Sequence, residues 1–205
     1  MPRRSSVDWW PESEDDYEVA RSELKRRFAE WRGGDADDNG AESPIHYKWA
    51  YVDGHLTRWR CRDLDEGYLE LHPAQVMVDD DELDDVLEEA YEFIAFLAET
   101  ELLDPGSDPP EVLLDHLDEM EGQFRANMAD AARYSSAKRL WMNARAEGVR
   151  LDDQASIEAF IAGFNARPLA ERDAILGIPR RAASGRVTLP GTRPKASSAK
   201  RRKRR

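Results

Sequence analysis

The chain is poor in cysteine and in long apolar runs. Cys61 is the only cysteine in 205 residues, so no internal disulfide can form, which is typical of a reducing compartment. No stretch approaches the roughly 20 apolar residues of a membrane span. The first residues also lack the apolar segment of a signal peptide. These absences predict a cytoplasmic protein that makes no membrane contact.

Motifs of known chemistry are also missing. The chain has no P-loop, no Rossmann glycine pattern and no G-x-S-x-G nucleophile motif. Cys61 has no evident base beside it in the sequence that would activate it as a nucleophile. We therefore predict no cofactor, and the sequence favours a non-enzymatic role.

Charge is abundant, and it is divided unevenly along the chain. Residues 180–205 hold 11 basic residues and no acidic one, whereas residues 1–179 hold 42 acidic residues against 19 basic, a net charge of −23. A basic segment of this kind binds polyanions through phosphate contacts without reading a base sequence. The residues expected to make these contacts are Arg193, Lys195, Lys200, Arg201, Arg202, Lys203, Arg204 and Arg205.

Apolar residues recur at three- and four-residue steps through most of the body, which predicts amphipathic helices. We predict a mainly α fold: a compact bundle of about six or seven helices with one small β-hairpin and a disordered basic C-terminal tail. The expected organisation is an N-terminal amphipathic helix over 1–34, an acidic linker loop over 35–46, a helical domain with the hairpin over 47–178, and the tail over 179–205.

The hairpin is predicted over residues 47–60 because Asp53-Gly54 is a preferred dipeptide of two-residue type I′ turns. In that register one face carries three aromatic side chains and two arginines, namely Tyr47, Trp49, Tyr51, Arg58 and Arg60. Such a face can stack single-stranded bases, or it can pack beneath a helix with arginine over tryptophan. It is therefore a candidate interaction surface.

The same register places His46 across from Cys61, with His72 near in sequence. Imidazole nitrogens and thiolate sulfurs are zinc ligands, so these three residues are candidate metal ligands. The alternative is a buried thiol beside an imidazole, without metal. A second candidate is the loop over residues 35–40, which matches the start of a calcium loop, although His46 stands where the completing glutamate belongs.

Two stretches of the sequence look familiar: Gly54-His55-Leu56-Thr57-Arg58-Trp59, and Phe164-Asn165-Ala166-Arg167-Pro168. With their surroundings, over roughly residues 46–177, they resemble a group of uncharacterised helical proteins of actinobacteria. The resemblance implies a bacterial, cytoplasmic, single-domain protein, and it carries no activity or catalytic residue to this chain. Arginine outnumbers lysine 24 to 6, which also indicates GC-rich coding DNA and a bacterial source.

Two functions fit these observations. The first is a non-catalytic interaction or regulatory module, whose acidic body binds a protein partner and whose tail contacts nucleic acid or another polyanion. The alternative is a metal-assisted hydrolase that uses His46, His72 and nearby carboxylates. The tail can meet nucleic acid, another protein or the chain's own acidic body, and the sequence leaves these three open.

Overall fold

The computed structural model describes residues 7–34, 40–79 and 82–179, so the basic residues from 180 onward lie outside the described part. The predicted mainly helical fold is confirmed. The helices are α1 (Glu14–Arg32), α2 (Glu42–Tyr51), α3 (Cys61–Leu64), α4 (His72–Gln75), α5 (Leu83–Glu99), α6 (Pro110–Ala129), α7 (Ser136–Ala146), α8 (Gln154–Ala166) and α9 (Leu169–Leu176). A π-helical segment (Asp65–Leu71) joins α3 to α4, and a short 3₁₀ turn (Ala131–Arg133) precedes α7. In the part of the chain that the structure describes, every helix is too short or too polar to cross a bilayer.

The predicted β-hairpin over residues 47–60 is wrong. Residues 47–51 belong to α2, and the described residues contain no strand. The buried side of α2 consists of Pro44, Ile45, Tyr47 and Lys48. Steps of three and four residues put these side chains on one side of a helix, whereas in a strand they would alternate. Asp53-Gly54 follows the helix, and there Gly54 takes a φ of +74° while its N–H donates to the carbonyl of Lys48. A positive φ at glycine is what makes this dipeptide common in hairpin turns. In this protein the same conformation ends a helix.

A proline stands inside the helical stretch from Cys61 to Gln75. Pro73 has no N–H, so it cannot donate to the carbonyl of Leu69 four residues earlier. Asn127 of α6 supplies the missing donor, because its Nδ2 donates to Leu69 O over 2.9 Å. One residue before the proline, the His72 N–H reaches Gly67 O in the wider π-helical pattern. The hydrogen bond from Asn127 to the Leu69 carbonyl therefore anchors this stretch to α6.

The N-terminal helix contributes to the main hydrophobic core. Its stripe of Tyr17, Ala20, Leu24 and Phe28 is buried, as the apolar spacing predicts. Phe28 meets Phe96 of α5 edge-on, with 5.4 Å between ring centroids. Helices α2, α5 and α6 and the π-helical segment bury residues in this same core, so α1 packs with them around one apolar centre.

Helices α7, α8 and α9 surround a smaller hydrophobic cluster. Its buried members are Ala144, Phe160 and Phe164. Polar contacts join α7 to α4: the Ser135 N–H donates to Ala74 O over 2.9 Å, and Lys138 Nζ donates to Pro73 O over 3.0 Å. The boundary between the two clusters therefore contains a buried lysine.

Candidate interaction surfaces

The five residues of the predicted hairpin face do not share one exposed surface. Tyr47 is buried, and its hydroxyl donates to Asp63 O over 2.7 Å. Trp49 stacks on Tyr17 of α1 with 4.7 Å between ring centroids. Tyr51 alone among the three aromatic residues is exposed, at 51% of its surface. Because α2 is a helix, two of the three rings pack inside the protein and only Tyr51 remains exposed.

The two arginines of that face stabilise the irregular segment after α2. Arg58 Nη2 donates to Asp53 Oδ2 over 2.7 Å, and its guanidinium lies 5.6 Å from the ring centre of Trp10. The pKa of the Asp53 carboxyl is lowered: burial alone would raise it, and the hydrogen bond from Arg58 is the largest effect that lowers it. Arg60 precedes α3, where its backbone N–H donates to Asp63 Oδ2 over 3.1 Å and its side-chain Nε donates to Gly106 O over 3.5 Å. Both residues therefore have a structural role.

An ion pair lies beneath this segment, entirely inside the core. Lys48 Nζ stands 2.5 Å from Asp63 Oδ2, and the two residues are 0% and 1% exposed. The ammonium also lies 3.4 Å from Asp53 Oδ1 and 5.1 Å from the ring centre of Trp59. Sequence reasoning missed this pair, because a lysine within an aromatic run gives no sign of burial until the helix is known.

The candidate metal ligands are not brought together. His46 is exposed on α2 and packs edge-on against Tyr51, whereas His72 is buried and its Nδ1–H donates to Gly67 O over 3.0 Å. Burial raises the pKa of the Cys61 thiol, which disfavours the thiolate that zinc requires. Within residues 7–34, 40–79 and 82–179, no group of three or more His, Cys, Asp or Glu residues could hold a metal. The predicted proximity of His46 and Cys61 depended on the hairpin register, and the structure has helix α2 where the hairpin was predicted.

Two further predicted sites cannot be placed. Residues 35–39 of the calcium-like loop lie outside the described residues. The same is true of the polyanion-binding residues of the tail, which are Arg193, Lys195, Lys200, Arg201, Arg202, Lys203, Arg204 and Arg205. Both remain predictions.

A groove of about 410 Å³ runs between α5 and α6, and we call it the acidic groove. Its apolar members are Leu83, Leu87, Tyr91, Leu117 and Phe124, and its charged members are Asp84, Glu88, Asp118, Glu121 and Arg125. Arg125 pairs with Asp84 and with Glu121. In the described part of the chain, Glu88 and Asp118 have no basic partner within 4.0 Å. The groove therefore offers two unneutralised carboxylates beside an apolar floor.

The groove lies in the most acidic part of the body. Residues 83–129, which contain α5, α6 and their connection, hold 14 acidic residues and one basic residue, Arg125, a net charge of −13. More than half of the net negative charge of the body therefore lies in this segment, −13 of −23. Such a field attracts cations and basic segments and repels nucleic acid.

Comparison of the chain with protein-family models, with curated proteins and with solved structures found no match. The resemblance to helical actinobacterial proteins stays a prediction.

Proposed function

We propose that this protein is a non-catalytic interaction module, in which the acidic groove binds a basic segment of a partner protein while the C-terminal tail binds nucleic acid or a similar polyanion. The single observation that supports this proposal most is the separation of charge. One helix pair carries −13 over residues 83–129, and residues 180–205 carry +11. The single cysteine favours the cytoplasm as the compartment.

The groove suits a peptide that is basic and partly apolar. Leu87 and Leu117 line its floor, so an apolar side chain of the partner can leave water there. Glu88 and Asp118 lie at its edge and can each accept hydrogen bonds from lysine or arginine. Attraction between opposite charges would chiefly raise the rate of encounter, whereas apolar contact would set the lifetime of the complex.

The tail suits a polyanion because six consecutive positive charges, residues 200–205, follow one another without an acidic residue. Contacts of this kind release counterions, so the affinity falls steeply as salt rises. The body, at −23, opposes such binding, which confines it to the tail.

The experiment is a salt titration of DNA binding by the full-length chain. The probe is a labelled 30-nucleotide single strand, and the readout is fluorescence anisotropy. A tail-neutral variant replaces all 11 basic residues of positions 180–205 with glutamine. If the eight predicted tail residues contact phosphates, log K for the wild type should fall with log salt at a slope of roughly −6, and the tail-neutral variant should bind weakly with little slope. Arg133→Gln/Arg150→Gln, which removes two exposed charges from the body, is the control and should behave like the wild type. Equal binding by the tail-neutral variant would refute the role of the tail.

A second measurement separates partner binding from contact of the tail with its own body. A labelled peptide of residues 180–205 is added to the wild type and to the tail-neutral variant. If the tail occupies the groove of its own chain, the variant should bind the added peptide more tightly than the wild type does. Equal affinities would show that the tail leaves the groove free for a partner.

A further inference from the structure

A second cavity, of about 380 Å³, lies between α7 and the ends of α5 and α6. Polar and apolar groups share its wall almost equally, and the apolar part includes Met77, Met128 and Met142, so we call it the methionine cavity. The volume is within the range of small-molecule sites, roughly 300–1,000 Å³. Methionine side chains adapt their shape to an apolar ligand with little strain.

Lys138, in the first turn of α7, lines this cavity and is only 4% exposed. Its Nζ donates to Pro73 O over 3.0 Å and lies 4.1 Å from the ring centre of Tyr134. An ammonium has three N–H donors, so one carbonyl and one ring leave its hydrogen-bonding capacity incomplete. The positive end of the α7 dipole adds to the positive potential there.

Lys48, the other buried lysine among the described residues, shows what Lys138 lacks. Lys48 has the carboxylate of Asp63 at 2.5 Å. Among the described residues, no carboxylate lies within 4.0 Å of Lys138 Nζ. Arg145 also lines the cavity, but it is already paired with Asp79 over 2.9 Å. Burial lowers the pKa of Lys138, as expected for a buried cation without a counter-ion. A buried charge is normally paired, so the geometry leaves a place for an anion.

We propose that the methionine cavity binds a small amphiphilic carboxylate, with its acidic head paired to Lys138 and its apolar chain against the three methionines. The proposal is independent of the acidic groove and of the tail. It concerns reversible binding, and no bond is made or broken.

The test is calorimetric titration of the full-length protein with decanoate and, as an uncharged ligand of the same chain length, decanol. Lys138→Met keeps an unbranched apolar side chain that is one atom shorter and removes its charge. It should weaken decanoate binding by about tenfold or more, the value of a hydrogen bond to a charged group, and leave decanol binding nearly unchanged. Circular dichroism checks that the variant is folded.

A second variant keeps the test decisive if Lys138→Met does not fold. Ala129 is exposed at the edge of the cavity, so Ala129→Trp can fill the space without removing a core contact. It should abolish binding of both ligands. Absence of decanoate binding to the wild type, or wild-type affinity for decanoate in either folded variant, would overturn the proposal.

Discussion

Lys48 of α2 and Asp63 of α3 form an ion pair inside the hydrophobic core, with 2.5 Å between Nζ and Oδ2. The same carboxylate oxygen accepts the N–H of Arg60, and the carbonyl of Asp63 accepts the Tyr47 hydroxyl. Asp63 thus binds the Lys48 ammonium and the Tyr47 hydroxyl of α2 and also the backbone at the start of α3. The pair is expected to specify how α2 sits on α3.

Removal of either partner should destabilise the protein strongly. Lys48→Met or Asp63→Asn leaves a buried polar group without its partner, and each should lower the free energy of unfolding by about 3–5 kcal/mol. The double variant should lose less than the sum, because no uncompensated charge remains. Urea unfolding of the four proteins of this cycle measures the coupling. Additive losses would show that the two charges stabilise the fold independently.

The close approach of Gly67 to Tyr47 gives a second prediction. A Cβ built on Gly67 would lie 2.7 Å from the Tyr47 ring, whereas a Cβ on Gly122 of α6 would meet nothing within 4 Å. Gly67→Ala should therefore cost about 1–3 kcal/mol through overpacking. Gly122→Ala is the matched control and should gain about 0.5–1 kcal/mol in helix stability. Thermal unfolding compares the two, and a Gly67→Ala protein as stable as the control would contradict this packing.

Burial of His72 predicts a loss of stability in acid. Its pKa is lowered below the ordinary value of 6.5, chiefly by desolvation. The unfolded chain therefore binds a proton first as the pH falls, and stability declines from about pH 6.5 downward through the folded-state pKa. His55 has a pKa lowered by burial too and contributes in the same range.

The matched variants are His72→Gln and, at an exposed site, His46→Gln. Stability curves between pH 7.5 and pH 5 should be flatter for His72→Gln than for the wild type. His46→Gln should follow the wild type. Parallel curves for the wild type and His72→Gln would exclude His72 as the source.

The sequence predicted the helices whose apolar stripes are regular. The α1 stripe from Tyr17 to Phe28 is one example, because period and burial agree there. It failed at residues 47–60, since aromatic residues and Asp53-Gly54 are typical of a hairpin and only tertiary packing decides otherwise. Because residues 47–51 are helical and not extended, Tyr47 is buried, Trp49 stacks on α1 and His46 lies apart from the other proposed metal ligands.

For the acidic groove, only the excess of negative charge could be predicted from the sequence. The acidic excess is visible in the composition, but the composition does not show which carboxylates lie together. That Glu88 and Asp118 share one groove depends on how α5 packs on α6. Lys138 was equally hidden, because the carbonyl it contacts lies 65 residues away at Pro73.

The most direct test of the proposed function is peptide binding at the acidic groove. The protein is the tail-neutral variant, and the probe is the labelled peptide of residues 180–205, which is basic and contains Val187 and Leu189. Glu88→Gln/Asp118→Asn should weaken binding roughly three- to tenfold, the sum of two exposed charge contacts. Glu12→Gln/Asp15→Asn removes the same charge from exposed positions at the start of α1 and should leave the affinity unchanged. Equal weakening in both variants, or no binding at all, would contradict a peptide site in the groove.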